Sequence, residues 1–304
     1  MITPPPLKPG DKTGIISPSG KIGKGFLDNT VKLFKEWGFN VVEGNHVYSA
    51  HNQFGGTDRE RISDLQYMLD ERDIKAVICS RGGYGAVRVI DNIDFSRFIE
   101  SPKWIVGYSD ITVLHSHING NFRIESIHGP MAAELYRKRK VQASAKSMQL
   151  LKEVLTGSVP EYDLPGHPLS RSGRAEGMLT GGNLSVIYSL LGSPSFPDTD
   201  GKILFIEDVG EYLYHIDRMM VALRRSGILG RLAGLLVGGL TGMNDNKVPF
   251  GITASEIIAG AVDDYDYPVC FGFPAGHQPE NYPLILGREV ALSVGRNLCS
   301  LTFG

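Results

Sequence analysis

Apolar and polar positions along the first half of the chain follow two alternating rhythms. A short β-branched run at 13–17 stops at Pro18-Ser19-Gly20. Residues 26–37 then place Leu27, Val31, Phe34 and Trp37 on one side of a helix, and Gly38 suits the left-handed residue that closes it. Residues 39–43 read as a second strand. Residues 57–69 read as an amphipathic helix, with Ile62, Leu65 and Leu69 inward and Asp58, Arg59, Glu60 and Arg61 outward. Further strands are expected at 76–79 and 104–106, and another apolar strand ends at His128. Strands spaced by helices of this length predict a parallel sheet covered on both faces, with ligands beyond the carboxyl ends of the strands.

The rhythm changes after a helix expected at 143–155. The Pro/Gly/Ser-rich stretch 159–172 reads as a linker between an N-terminal α/β domain (1–158) and a C-terminal domain (173–304). Beyond it come a strand at 203–206, a helix at 216–225, an apolar run at 232–240 and two short strands at 289–294 and 298–303.

Several strand ends carry reactive residue types. Trp104-Ile105-Val106-Gly107-Tyr108-Ser109-Asp110 runs from a buried-looking strand through a turn into a helix expected at 111–118. Hydrolases expose a nucleophilic hydroxyl in that context. Ile111 stands where an elbow usually has a second glycine, and Ser109-Asp110 also fits a helix cap. Both readings of Ser109 are open from spacing alone. Glu207 follows the 203–206 run and His277 sits in a Gly/Pro loop, so Ser, Glu and His occur in the chain order of many α/β hydrolases. Asp208 and Glu211 are rival acids, and His115, His117 and His128 are rival bases. His128 reads as a pocket residue rather than the base. Arg81-Gly82-Gly83 after the third strand lets the backbone approach an anion, so Gly82, Gly83 and the amide of Asp110 are candidate oxyanion donors. Cys79 lies within a strand pattern, where a thiol is usually inert. Asp217-Arg218 reads as a structural ion pair.

Composition narrows the classes further. The 304 residues carry a net charge of −2 and no basic stripe, which argues against nucleic-acid binding. The three cysteines are remote from one another in sequence and contain no CxxC pair, so a disulfide framework is not expected. The N-terminus has no signal-peptide pattern, and no run is long enough to span a membrane. A cytoplasmic enzyme is expected.

Seven segments in order resemble the LD-carboxypeptidase family of serine peptidases over nearly the whole chain. They are Ile16-Ser17-Pro18-Ser19, Arg81-Gly82-Gly83-Tyr84-Gly85-Ala86, Gly107-Tyr108-Ser109-Asp110-Ile111-Thr112, His128-Gly129-Pro130-Met131, Gly181-Gly182-Asn183-Leu184, Ile206-Glu207-Asp208-Val209 and Gly276-His277. The resemblance implies a three-layer α/β/α (Rossmann-like, flavodoxin-like) N-terminal domain with the nucleophile Ser109. It also implies a β-rich swivelling C-terminal α/β domain with Glu207 and His277. It further implies a homodimer, no metal or organic cofactor, and release of D-Ala from a murein tetrapeptide. A microcin C self-immunity branch of the same family would cleave peptidyl or aminoacyl nucleotide analogues with the same three residues. That branch tends to carry a longer chain and an aromatic-bearing loop that stacks on the base, and no clear extra loop follows Glu211. A two-lobed peptide-binding protein without catalysis is the remaining alternative.

Overall fold

The computed structural model describes residues 1–135 and 144–304. The first sheet collects β1 (Lys12–Ile16), β2 (Asn40–Glu43), β3 (Ile74–Cys79), β4 (Trp104–Gly107) and β5 (Ser126–His128). Its helices are α1 (Asp28–Glu36), α2 (Asp58–Asp70), α3 (Ser96–Glu100), α4 (Thr112–Phe122) and α5 (Ala145–Leu155). Ala143, at the expected start of α5, lies outside the described residues. The second half contributes β6 (Glu161–Pro165), β7 (Gly173–Asn183), α6 (Leu184–Ser189), β8 (Ile203–Val209), α7 (Leu213–Arg225), β9 (Gly234–Thr241) and α8 (Ala254–Ala261). Short strands β10 (Val269–Phe271), β11 (Leu284–Leu286), β12 (Glu289–Val294) and β13 (Leu298–Phe303) complete it.

Strand order in the first sheet is β11-β5-β4-β3-β1-β2, parallel except for β11. Alternate residues go to opposite faces, as the pleat requires. Ile15, Ala76, Ile78, Trp104 and Val106 meet Leu27 and Phe34 of the α1 segment and Leu151 of α5 on one side. Ile16, Val77, Cys79 and Ile105 meet Leu65 and Met68 of α2, Phe98 of α3 and Val113 of α4 on the other. This is the three-layer arrangement expected from the sequence. The second sheet runs β10-β9-β8-β7-β12-β13-β6. It is parallel from β10 to β7 and antiparallel beyond. Leu204, Ile206, Leu235 and Val237 pack on α6, α7 and α8, while Ile203, Phe205 and Leu236 turn to the core shared with the first sheet.

Two local expectations are corrected. The 159–172 stretch contains β6, an edge strand paired to β13. Arg61 faces in, not out: it is 1% exposed and its guanidinium donates to the carbonyls of Pro18 (2.6 Å) and Gly85 (2.8 Å) and pairs with Asp58. Cys270 and Cys299, remote in sequence, bring free thiols into hydrogen-bonding contact in the core. Among the described residues, no helix is long and apolar enough to cross a membrane.

Candidate functional site

β4 ends at Gly107, and the chain turns at once into a 3-10 turn, Ser109–Ile111, ahead of α4. Ser109 adopts φ 64°, a left-handed conformation that costs a non-glycine residue on the order of 1–2 kcal/mol. The turn is tight because Ile111 folds back over Gly107. A Cβ at Gly107 would lie 2.9 Å from Ile111 Cγ1. The glycine that permits the elbow therefore precedes the serine, and an isoleucine is accommodated after it. No side chain caps the 3-10 turn or α4, so the capping role open to Ser109 and Asp110 is not taken up. His115 Nε2 lies 2.8 Å from the Gly107 carbonyl, with Nδ1 2.9 Å from Ser126 Oγ, and braces the strand end.

The Arg81-Gly82-Gly83 loop lies against Ser109. A Cβ on Gly82 would sit 2.8 Å from Ser109 Cβ and 2.9 Å from its Oγ, with the Asp110 amide nitrogen 3.5 Å away. Gly83, at φ 124°, turns instead to Gly20. Asp110 is buried, and its Oδ2 accepts from Ser19 Oγ (2.5 Å) and the Ala86 amide (2.8 Å), tying the first two loops to the elbow. Burial nevertheless raises its carboxyl above the usual range. Arg61 holds the same two loops from below. Arg81 lies along its own loop, donating from Nε to Gly82 O (3.2 Å) and from Nη1 to Lys21 O (3.3 Å).

Glu207 and His277 arrive from the second half. The β8–β9 register shifts between Ile206 and Asp208, a bulge at Glu207 of the kind that re-aims a side chain. Glu207 Oε2 accepts from both the amide (3.2 Å) and Nδ1 (2.7 Å) of His277, and His277 Nε2 stands 3.1 Å from Ser109 Oγ. The approach needs Gly276, at φ 105°, because a Cβ there would sit 2.5 Å from Glu207 Oε2. Thr241 Oγ1 donates to the His277 carbonyl (2.9 Å), fixing the loop from β9. Glu207 is fully buried and the His277 side chain is 20% exposed, so one edge of the imidazole remains open. Burial pushes the His277 imidazole down, but the Glu207 charge and hydrogen bond outweigh it and the net shift is upward.

The rivals have other partners. Asp208 turns to Asn183 Nδ2 (3.0 Å) and the Ser185 amide (2.9 Å); burial and then the Glu207 charge raise its carboxyl to about 6. Glu211 pairs with His215 at 2.5 Å. His117 contacts Ser195 Oγ at 2.8 Å. Cys79 is fully buried, and burial pushes its thiol up. Among the described residues no ion pair joins Asp217 to Arg218; Arg218 lies over the Tyr214 ring, 5.2 Å from its centroid. His128, expected to line the cleft, is instead sealed beneath it. It is 0% exposed, edge-on to Phe205 at 4.8 Å, with no hydrogen-bond partner at either nitrogen, and burial keeps it neutral by holding it well below the usual histidine range.

Asn183, in the Gly181-Gly182-Asn183-Leu184 segment, has a role that its motif alone does not indicate. Its Oδ1 caps α6 through the Val186 amide (3.1 Å), and its Nδ2 reaches Glu207 Oε1 (3.3 Å) as well as Asp208. An Asn at the end of an apolar strand and the start of an apolar helix is the signal that marks such a cap. Among the described residues, no group of three His, Cys, Asp or Glu side chains is arranged to hold a metal ion.

Comparison with known proteins gives two family matches. Residues 13–129 match the LD-carboxypeptidase N-terminal domain, and residues 176–292 match the LD-carboxypeptidase C-terminal domain. A probable murein peptide carboxypeptidase from Bacillus subtilis is 33% identical, covering 99% of this chain and 94% of its own. The crystal structure of muramoyltetrapeptide carboxypeptidase from Oxalobacter formigenes superposes with a TM-score of 0.86 at 28% identity, covering 96% of this chain and 98% of that one. The microcin C7 self-immunity protein MccF of Escherichia coli is 24% identical, covering 98% of this chain and 94% of its own.

Proposed function

The chain belongs to the LD-carboxypeptidase family, and we propose that it hydrolyses the L,D-peptide bond that releases terminal D-Ala from a murein tetrapeptide. The observation that carries the reading is the His277 imidazole, 3.1 Å from Ser109 Oγ on one side and 2.7 Å from Glu207 on the other. That is the spacing of a nucleophile, its base and the acid that orients the base.

In this reading His277 takes the Ser109 proton as Oγ attacks the carbonyl carbon of the scissile bond. Glu207 holds the Nδ1–H tautomer and stabilises the imidazolium. The amide of Asp110 and an amide of the Gly82-Gly83 pair face the oxyanion, each contributing about 3 kcal/mol to barrier lowering. His277 returns the proton to the leaving nitrogen, and D-Ala departs. Water, deprotonated by His277, then cleaves the acyl-serine ester, which frees the tripeptide and restores Ser109. No step requires a metal or organic cofactor. A cytoplasmic setting and a homodimer accompany the reading, on the strength of the family resemblance.

A second reading is favoured by one observation. Directly after Glu211, Tyr212 and Tyr214 are 44% and 39% exposed with ring centroids 5.6 Å apart, a surface on which a base could stack. It would suit amide substrates linked to a nucleotide. Mass spectrometry of L-Ala-D-Glu-meso-diaminopimelate-D-Ala after incubation separates the two. Loss of one D-Ala with the wild type but not with Ser109→Ala, the variant remaining folded, supports the murein reading and the nucleophile together. An intact tetrapeptide alongside a cleaved aminoacyl sulfamoyl nucleoside supports the second reading. If neither is cleaved, the catalytic assignment fails.

A further inference from the structure

His277 meets more than Glu207. Tyr108, the residue immediately before the elbow serine, sets its ring edge-on to the imidazole, with centroids 4.8 Å apart at 67°. Tyr108 is 6% exposed, and its hydroxyl donates to Oε1 of Glu134, itself 4% exposed. Glu134 belongs to the 3-10 turn Ala132–Leu135 that follows β5, and its Oε2 accepts from the Met131 amide at 3.4 Å. α1 meets this turn through the uncharged Asn29 and Thr30. A further buried carboxylate is thus held behind an aromatic ring that meets the imidazole edge-on.

Among the described residues, the charged and titratable groups around His277 come from several elements. β8 presents Glu207 and Asp208, the turn after β5 presents Glu134, β5 itself presents the neutral His128, and the end of β4 presents Tyr108 beside Ser109. Glu134 is the one carboxylate among them that reaches the ring through a side chain of the nucleophile's own loop.

We propose that Glu134, acting through Tyr108, is a positioning residue for His277, fixing the ring plane of the imidazole and adding a negative charge beyond those of Glu207 and Asp208 that favours its cation. The proposal rests on the reading of His277 as the base. Its logic is electrostatic. A carboxylate in a water-poor site favours the imidazolium that forms as the serine proton moves. Removing that charge makes the imidazole less basic, so it stays neutral to lower pH while serving less well as proton acceptor.

The experiment is the pH profile of kcat/KM on the tetrapeptide for wild type, Glu134→Gln, Tyr108→Phe and Glu207→Gln. Glu134→Gln is expected to shift the acid limb downward by about half a pH unit and to lower the plateau several-fold, with KM little changed. Tyr108→Phe keeps the ring edge but breaks the tie to Glu134, so a several-fold fall in kcat at constant KM is expected. An acid limb at the wild-type position in Glu134→Gln overturns the proposal, whatever its plateau. If Glu134→Gln does not fold, Tyr108→Phe decides alone, and an unchanged kcat overturns it. Glu207→Gln separates the two levels. If it leaves the acid limb in place, the limb does not report His277 and the base assignment fails. If it moves the limb and Glu134→Gln does not, only the role of Glu134 fails.

Discussion

Ser109 shows how much a single residue can carry. Its φ of 64° is one of three positive values among the non-glycine residues described, the others being Asn52 and Arg123. A serine kept where glycine would relax implies that the hydroxyl is worth the strain. Replacing it by alanine removes the hydroxyl but keeps the Cβ that creates the strain. Replacing it by glycine removes both, although the unfolded chain then gains some entropy. Ser109→Gly is therefore expected to be more stable than Ser109→Ala by about 1 kcal/mol, roughly 2 °C in melting temperature for a chain of this size. Both should be inactive. Thermal scans of the two variants side by side check this, and a reversed order would place no strain at Ser109. The strand–turn–helix pattern made the serine legible in the sequence, but its backbone conformation was not. That depends on Ile111 packing over Gly107, a contact no spacing rule anticipates.

Legibility among the elements follows from how much of each signal is local. The 26–37 and 57–69 periodicities and the last two strands carry their own patterns, and α1, α2, β12 and β13 form where those patterns lie. β6 and β11 do not announce themselves. β6 sits among prolines and glycines, and β11 is three residues long; both exist because a neighbouring edge offers them hydrogen bonds. Arg61 misled for a related reason. Helical phase marks a charged residue as outward, yet its long stem carries the guanidinium inward to loop carbonyls that only the fold brings there. The His277 loop is the element on which the candidate site depends most. Gly276→Ala forces a Cβ to within 2.5 Å of Glu207 Oε2 at a backbone angle alanine resists. It should displace the imidazole and lower kcat about a hundredfold, the scale of an ångström-level misplacement. Gly260→Ala, in α8 with open space around it, is the control. It should leave kcat intact and raise stability by about 0.5–1 kcal/mol. Steady-state kinetics on the pair decides whether Gly276 acts through its missing side chain.

At the scale of the molecule, the two halves are less separable than their sequence division suggests. β11, from the second half, pairs antiparallel with β5 of the first sheet, Leu284 opposite His128 and Leu286 opposite Ser126. Its three side chains are 0–1% exposed. Burying three aliphatic residues contributes roughly 6 kcal/mol, comparable with the 5–15 kcal/mol that keeps a typical domain folded. Arg288, two residues after β11, forms a two-pronged pair with Glu125 (3.1 and 2.6 Å), and the Asn183 amide donates to Thr112 Oγ1 (3.0 Å). A fragment of residues 1–158 loses all of this at once. It exposes the β5 edge beside the apolar Ile127, and an unpaired edge of that kind invites association with other chains. The fragment is therefore expected to aggregate or to lack a cooperative melting transition, while the full chain unfolds in a single one. Calorimetry and light scattering on both test this. A soluble, cooperatively melting 1–158 would mean that β11 only decorates the first sheet, and that the domain carrying Ser109 is complete without the half that brings Glu207 and His277.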